Sequence, residues 1–414
     1  MTTLILKVRR CFDGERLRES QSIAISIRGD TIEAVDLEPS AGAGAPGARV
    51  IDAAGFTALP GLIDAHFHPV SSSFDVGRID SQHPSLRALD ARAHLEGALA
   101  RGFTTVRDAG GGDMGLVRAT QQGLIRGPRL LLAGKALSQT GGHGDLRAAD
   151  AIDICGCGYH GALSAVVDGA DQMRQAVRDQ LRQGATHVKL FVSGGVLSPT
   201  DPIWMNQFTD AEIRAAVEEA ATRRTYVMAH AHTAEAARRC VANGVRSIEH
   251  GTLMDRESAD AVAGAGAFVV PTLSVIAAIR EDVARLPPGA ADKLAQIADQ
   301  ATDAVALCAR AGVKLGFGTD LFGELRTRQA QEFTARGAVQ APLEVIRSAT
   351  SVNAALVGME GRIGAIRPGA FADLIVVEGN PLEDLKVLAD PQRHLRLVIR
   401  GGEVVINRME GVLR

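Results

Sequence analysis

An α/β fold is predicted by three features of this sequence. Eight short apolar runs alternate with alanine-rich helical stretches, both ends of the chain are β-rich, and chemically active side chains recur at the ends of the apolar runs. Strand and helix alternating eight times, with right-handed crossovers, make a (β/α)8 TIM-like barrel, in which successive strands aim their last residues at one point. Two β-rich ends flanking such a barrel pair most economically into a small β-sandwich domain.

Taken in order, residues 1–57 carry the β-like runs 4–8 and 22–27, a turn at Gly29-Asp30 and a flexible glycine-rich loop at 42–47. The barrel strands are expected at 58–65, 103–107, 129–133, 186–191, 225–229, 245–249, 267–272 and 313–318. Apolar runs such as Phe268-Val269-Val270 suit a parallel sheet covered on both faces. Helices are expected at 210–223, 234–243 and 293–311, followed by a helical 342–359. The tail returns to strands at 372–377, 395–400 and 403–406. These readings divide the chain into a first part of the sandwich at 1–57, a barrel at 58–362 and a second part of the sandwich at 363–414.

A chain of 414 residues exceeds one ordinary compact core but suits a barrel with an added small domain. A net charge of -3 with both signs interspersed gives no electrostatic case for nucleic acid. No uninterrupted apolar stretch is long enough to span a bilayer, and the short apolar run at the N-terminus precedes its charges, the reverse of a secretory signal. Five scattered cysteines, an odd number, argue for reduced thiols and a cytoplasmic location. Neither nucleic acid nor membrane is expected as a partner; a small-molecule substrate and a homo-oligomeric assembly are.

Six residues sit where a pair of metal ions would need them: His66, His68, Lys189, His230, His250 and Asp320, each at the end of an apolar run. Side chains two apart share a face on a strand but not on a helix, so His66 and His68 can hold one cation only in extended backbone. The spacing His230-Ala231-His232 follows the same rule. Imidazole and carboxylate are the usual ligands of zinc and related divalent ions. Cys155-Gly156-Cys157 followed by His160 matches no common zinc spacing and reads as a glycine-rich loop with ordinary thiols.

Taken together, these residues make the chain resemble the amidohydrolase superfamily from end to end. The carriers are Pro60-Gly61-Leu62-Ile63-Asp64-Ala65-His66-Phe67-His68, Val188-Lys189-Leu190-Phe191, His230, His250, Gly318-Thr319-Asp320 and the tail from Gly364 to Leu374. Gly141-Gly142-His143-Gly144-Asp145, Ser193-Gly194-Gly195 and His230-Ala231-His232-Thr233 make it most similar to the metal-dependent Xaa-Pro dipeptidase and carboxypeptidase group, which includes ochratoxin-hydrolysing amidases. The resemblance implies two divalent ions, zinc first among them. His66 and His68 would bind the more buried ion and His230 and His250 the more exposed one. Asp320 would ligate the first and act as general base. An ammonium has no lone pair for a cation, and the resemblance implies that carbon dioxide converts Lys189 to a bridging carbamate. The implied reaction is attack of a metal-bridging hydroxide on the amide bond to a C-terminal amino acid, in dipeptides or N-acyl amino acids, including ochratoxin-type amides.

His143, in a glycine-rich loop, can reach inward and donate to an oxyanion or a substrate carboxylate, as catalytic and binding residue. His232, farther out than His230, suits the substrate carboxylate. Arg107-Asp108 reads as support for the site. Trp204, Leu321 and Phe322 are expected to wall an apolar pocket. The competing readings are a cyclic-amide hydrolase, imidazolonepropionase-like or dihydroorotase-like, and a metal-free barrel acting as a binding protein. Lys189 weighs against mononuclear deaminases, and none of the six ligand positions is broken.

Overall fold

Gly61 divides what reads as one apolar strand into two, and the two halves join different sheets. A Cβ at Gly61 would lie 2.0 Å from the Thr104 hydroxyl, so only glycine lets the chain pass that strand. Before it, Thr57–Pro60 pairs in parallel with Thr3–Phe12 and antiparallel with Leu374–Val377. After it, Leu62–Phe67 pairs in parallel with Phe103–Asp108. The expected single strand 58–65 is therefore corrected to two strands in different sheets. The computed structural model describes residues 3–37, 47–150, 161–281 and 283–409.

The fold is α/β with parallel sheets. Leu62–Phe67, Phe103–Asp108 and Arg129–Leu131 form a three-stranded parallel sheet. A seven-stranded parallel sheet runs Ser164–Val166, Ala136–Ser138, Val188–Phe191, Val227–Thr233, Ser247–Leu253, Phe268–Val270, Lys314–Leu315. The sequence reading missed Ala136–Ser138 and Ser164–Val166, because three-residue strands carry almost no periodicity. Helices on the outside of these strands bury alanine-rich faces, such as Ile213, Ala216 and Ala220 of Asp210–Thr222. That helix starts with a capping box, Thr209 and Glu212 satisfying each other's backbone amides.

Two expected helices are broken. The stretch 293–311 resolves into Ala290–Ala298 and Ala301–Arg310. The break lets Leu294 and Ile297 face a cavity while Ala304, Val305 and Cys308 pack on the core. The stretch 342–359 becomes Pro342–Arg347, a π turn at Ser348–Val352 and Asn353–Leu356. There Asn353 donates to the carbonyls of Ile63 and Phe317 at 2.8 Å each, tying the turn to two strand ends.

The two ends of the chain meet in one eight-stranded mixed sheet, in which Thr57–Pro60 lies between Thr3–Phe12 and Leu374–Val377. Leu395–Arg400 and Glu403–Asn407 extend it antiparallel. Its core gathers Leu6, Ile25 and Ile51 from the first end with Leu374, Val376 and Leu397 from the second. Among the described residues no helix is long and apolar enough to cross a membrane. The Cys155-Gly156-Cys157 motif and most of the 42–47 loop lie outside the described residues.

Candidate metal centre

The parallel strands bring six side chains, lying on or after five different strands, to one cavity: His66, His68, Lys189, His230, His250 and Asp320. His66 Nε2 and His68 Nε2 lie 3.3 and 3.1 Å from the same oxygen of Asp320. The ring of His250 sits 4.8 Å from that of His66 and 4.6 Å from that of His230. Two of the six, His250 and Asp320, take left-handed backbone at φ 72° and 54°, a conformation costly for residues with a Cβ. At both, the strand turns sharply enough to swing a side chain inward, strain of the kind that collects at functional sites.

Each histidine spends one ring nitrogen on the protein. His66 Nδ1 donates to Glu249 at 2.8 Å, His68 Nδ1 to the Gly110 carbonyl at 2.9 Å, and His230 Nε2 to the Gly194 carbonyl at 3.1 Å. His250 Nδ1 lies 2.8 Å from the Thr272 hydroxyl. The remaining nitrogen of each is then free to present a lone pair, the arrangement that orients metal-binding imidazoles. For His66 and His68 that nitrogen crowds an Asp320 oxygen, and a shared cation relieves the contact. Burial alone would lower the pKa of His66, but Asp320 and Glu249 outweigh it and raise the pKa, so positive charge is favoured beside Asp320, whereas burial and the neighbouring imidazoles hold His230 and His250 well below the usual range. Burial likewise pushes Asp320 up, yet His66 and His68 hold its carboxyl well below the usual range.

Lys189 is the unusual member. It is 1% exposed, and its Nζ has no hydrogen-bond partner among the described residues. Desolvation dominates and pulls its pKa down to about 8. A buried amine left unpaired costs free energy that a protein normally avoids.

Two acids support the cluster from behind. Glu249, fully buried, accepts from His66 and from Arg107 Nη2 at 2.8 Å, while Arg107 also donates to the Ala65 carbonyl at 2.5 Å. Asp108 accepts from the backbone amides of Gly110, Gly112, Ala133 and Gly134, fixing the loop whose Gly110 carbonyl receives His68. Sequence reasoning passed over Glu249, because Ser247–Leu253 already carries several polar side chains and one more carboxylate does not stand out among them. Breaking a buried pair strands the other charge, so Arg107→Met is expected to cost about 3–5 kcal/mol of stability. Chemical denaturation checks this, and a loss below about 1 kcal/mol, the scale of an exposed pair, would show that Glu249 does not depend on Arg107.

His143 and His232 both line the cavity. His143 stacks on His230 with ring centres 4.3 Å apart, and His232 Nδ1 sits 2.8 Å from the Thr252 hydroxyl. Phe322 also lines it, its ring 5.0 Å from that of His68. Two expected wall residues are elsewhere. Trp204 is 73% exposed and outside the cavity, because the loop alternates and turns Asp201 and Ile203 inward instead. Leu321 is buried in the main core behind the strands rather than against the cavity. The apolar wall includes Val275, Ile276 and Ile279 of helix Leu273–Glu281 with Leu294 and Ile297 of Ala290–Ala298.

The chain is similar to several known proteins. Over 363 residues the chain is 34% identical to ochratoxinase of Aspergillus niger, covering 84% of this chain and 75% of that protein. A prolidase complexed with N-methylphosphonate-L-proline matches with a TM-score of 0.94 and 43% identity, over 98% of this chain and 100% of the other. A Xaa-Pro dipeptidase with bound methionine in the active site matches with a TM-score of 0.88 and 31% identity, again over 98% and 100%. The sequence model of the Amidohydrolase family covers residues 57–405. The chain belongs to the amidohydrolase family and is a hydrolase acting on amide bonds.

Proposed function

We propose that this enzyme cleaves the amide bond to a C-terminal amino acid in dipeptides or N-acyl amino acids, at a centre of two divalent ions. The observation that carries the proposal is Lys189: a buried amine with no hydrogen-bond partner, among four histidines and an aspartate. With its pKa drawn down to about 8, a useful fraction is neutral near neutral pH. That neutral amine can add to carbon dioxide, forming an N–C bond and losing a proton, which yields an anionic carbamate. His66, His68 and Asp320 offer ligand atoms within 4.8 Å of one another for one ion, and His230 and His250 would hold the second, with the carbamate shared. The nitrogen and oxygen donors suit zinc.

Two such ions, when bound, lower the pKa of a water toward neutrality and polarise a carbonyl oxygen. The chain's own residues complete the reaction. Asp320, ionised throughout the working range, takes up a proton on its carboxylate and passes it to the leaving nitrogen, since an amine anion leaves poorly. His143 and His232 offer ring nitrogens to the substrate's carboxylate or developing oxyanion. The apolar wall favours uncharged groups and keeps bulk water from the reacting centre.

The barrel reading rests on links between the two parallel sheets. Ala65 N donates to the Phe317 carbonyl at 2.8 Å and Thr186 N to the Leu132 carbonyl at 2.7 Å, which supports closure into one (β/α)8 unit at 58–362. The shared core of the eight-stranded sheet supports assigning 1–57 and 363–414 to one sandwich domain.

The experiment compares an N-acyl-L-proline or N-acyl-L-phenylalanine with its C-terminal amide. Loss of the carboxylate contact is expected to cost about tenfold or more in kcat/KM. Equal cleavage of acid and amide would overturn the C-terminal specificity and favour a general or cyclic amidase. Metal analysis of the purified enzyme is expected to give about two ions per chain.

A further inference from the structure

We propose that Asp201 is the positioning residue for His143, fixing the ring so that its Nε2 edge faces the reacting centre. This rests on the reading of His143 as a substrate contact. Asp201 lies in the loop after strand Val188–Phe191, is fully buried, and reaches His143 by two routes. On the ring side, His143 Nδ1 sits 2.7 Å from the Ser198 hydroxyl and 3.6 Å from Asp201 Oδ2. On the backbone side, Asp201 Oδ2 accepts from Gln207 Nε2 at 3.2 Å. That bond orients the Gln207 amide so that its oxygen accepts from the His143 backbone amide at 3.0 Å.

The rest of the ring is clamped. One face stacks on His230, and a Cβ on Gly195 would come within 2.1 Å of the ring, so only glycine leaves room for it. Gly195 is itself held, its amide donating to Asp201 Oδ2 at 2.9 Å. Lys293 balances the buried charge from 3.6 Å while donating to the carbonyls of Ser198 at 2.7 Å and Gly195 at 3.2 Å. Burial pushes the Asp201 carboxyl up, but His143, Ser198 and Lys293 bring it below its ordinary value. An anion kept dry at this cost, among Ser198, Gln207 and Gly195 that each meet His143, has an orienting role rather than a packing one. Lys293 also belongs to the helix that supplies Leu294 and Ile297 to the cavity wall, so the same carboxylate registers that wall against His143.

The test uses the metal-loaded enzyme with N-acetyl-L-phenylalanine as probe, in wild type, Asp201→Asn, Ser198→Ala, His143→Asn and the Asp201→Asn/His143→Asn double variant. Asp201→Asn keeps the shape and the acceptor for Gly195. It is expected to lower kcat/KM about 10–100-fold, the usual cost of losing an orienting partner. In the His143→Asn background it should add less than about twofold, because residues acting through one another are not additive. Ser198→Ala should give a smaller loss in the same direction. A second readout is independent of turnover: the ring-nitrogen signals of 15N-histidine-labelled enzyme, with His143 identified by its absence in His143→Asn. Asp201→Asn should shift the His143 pair and leave the other assigned rings in place. An unchanged His143 signal, or losses that add in the double variant, overturns the proposal. A shifted signal in an enzyme that His143→Asn leaves fully active upholds the positioning by Asp201 and instead removes His143 from the substrate contacts.

Discussion

Lys189→Ala is expected to lower kcat/KM by about a thousandfold, roughly 4 kcal/mol of transition-state stabilisation. The size follows from what the side chain would supply. With the carbamate gone, nothing among the described residues replaces an anion shared by both ions, because Asp320 already serves His66 and His68 and the remaining donors are neutral imidazoles. Formate or acetate entering the space the side chain leaves should restore part of the activity. Full activity and an intact metal pair in the variant, with no acid added, would show that the lysine is not a ligand.

Replacing the same lysine by an apolar side chain has a different effect on the metal-free chain. Burial lowers the Lys189 pKa from 10.5 to about 8, so between those values the unfolded chain binds more protons than the folded one. Stability contributed by this group therefore rises with pH across that window and is lowest below it. Lys189→Met should remove that slope and leave the metal-free protein no less stable, because it replaces an unpaired buried amine by an apolar chain of similar length. Thermal unfolding at pH 7.5 and pH 10 in chelator reads this directly; an unchanged slope would place the amine in water rather than in the core.

What could be read from the sequence divides along the reach of the interactions. The ligands were legible because His66 and His68 close Leu62–Phe67, His230 and His232 alternate within Val227–Thr233 and Asp320 follows Lys314–Leu315, and alternation along one strand is local information. The break at Gly61 was not, since the reason for it is the Thr104 side chain more than forty residues away. Trp204 was misplaced because a lone aromatic in a loop carries no sign of which way it points; burial of Asp201 and Ile203 on either side of Pro202 decided it. Glu249 and Asp201 were invisible for a related reason. A single carboxylate reads as a solvated surface charge until the fold supplies Arg107 for one and His143 with Lys293 for the other.

Asp320→Asn is expected to reduce kcat about 10²–10⁴-fold with a smaller change in KM, the range of a lost general base. The carboxamide keeps the shape of the carboxylate and one oxygen that can still face a cation, so the substitution removes basicity more completely than it removes a donor. In the wild type the nearby His66 and His68 keep the carboxyl ionised far into acid, against the effect of burial. Its proton-accepting form is therefore present above the depressed pKa and would be lost only as pH falls through it. The acidic limb of the pH–rate profile should accordingly not move to ordinary carboxylate values. Strain adds to the cost of any substitution here, because Asp320 holds φ at 54°, a region asparagine tolerates better than most residues. The variant should thus fold, and metal analysis can separate its two roles. Retained ions with collapsed kcat assign Asp320 chiefly to proton transfer, whereas loss of one ion together with activity assigns it chiefly to the metal. An Asn variant with wild-type kcat and full metal content would remove Asp320 from both, and with it the arrangement that makes His66 and His68 a site at all.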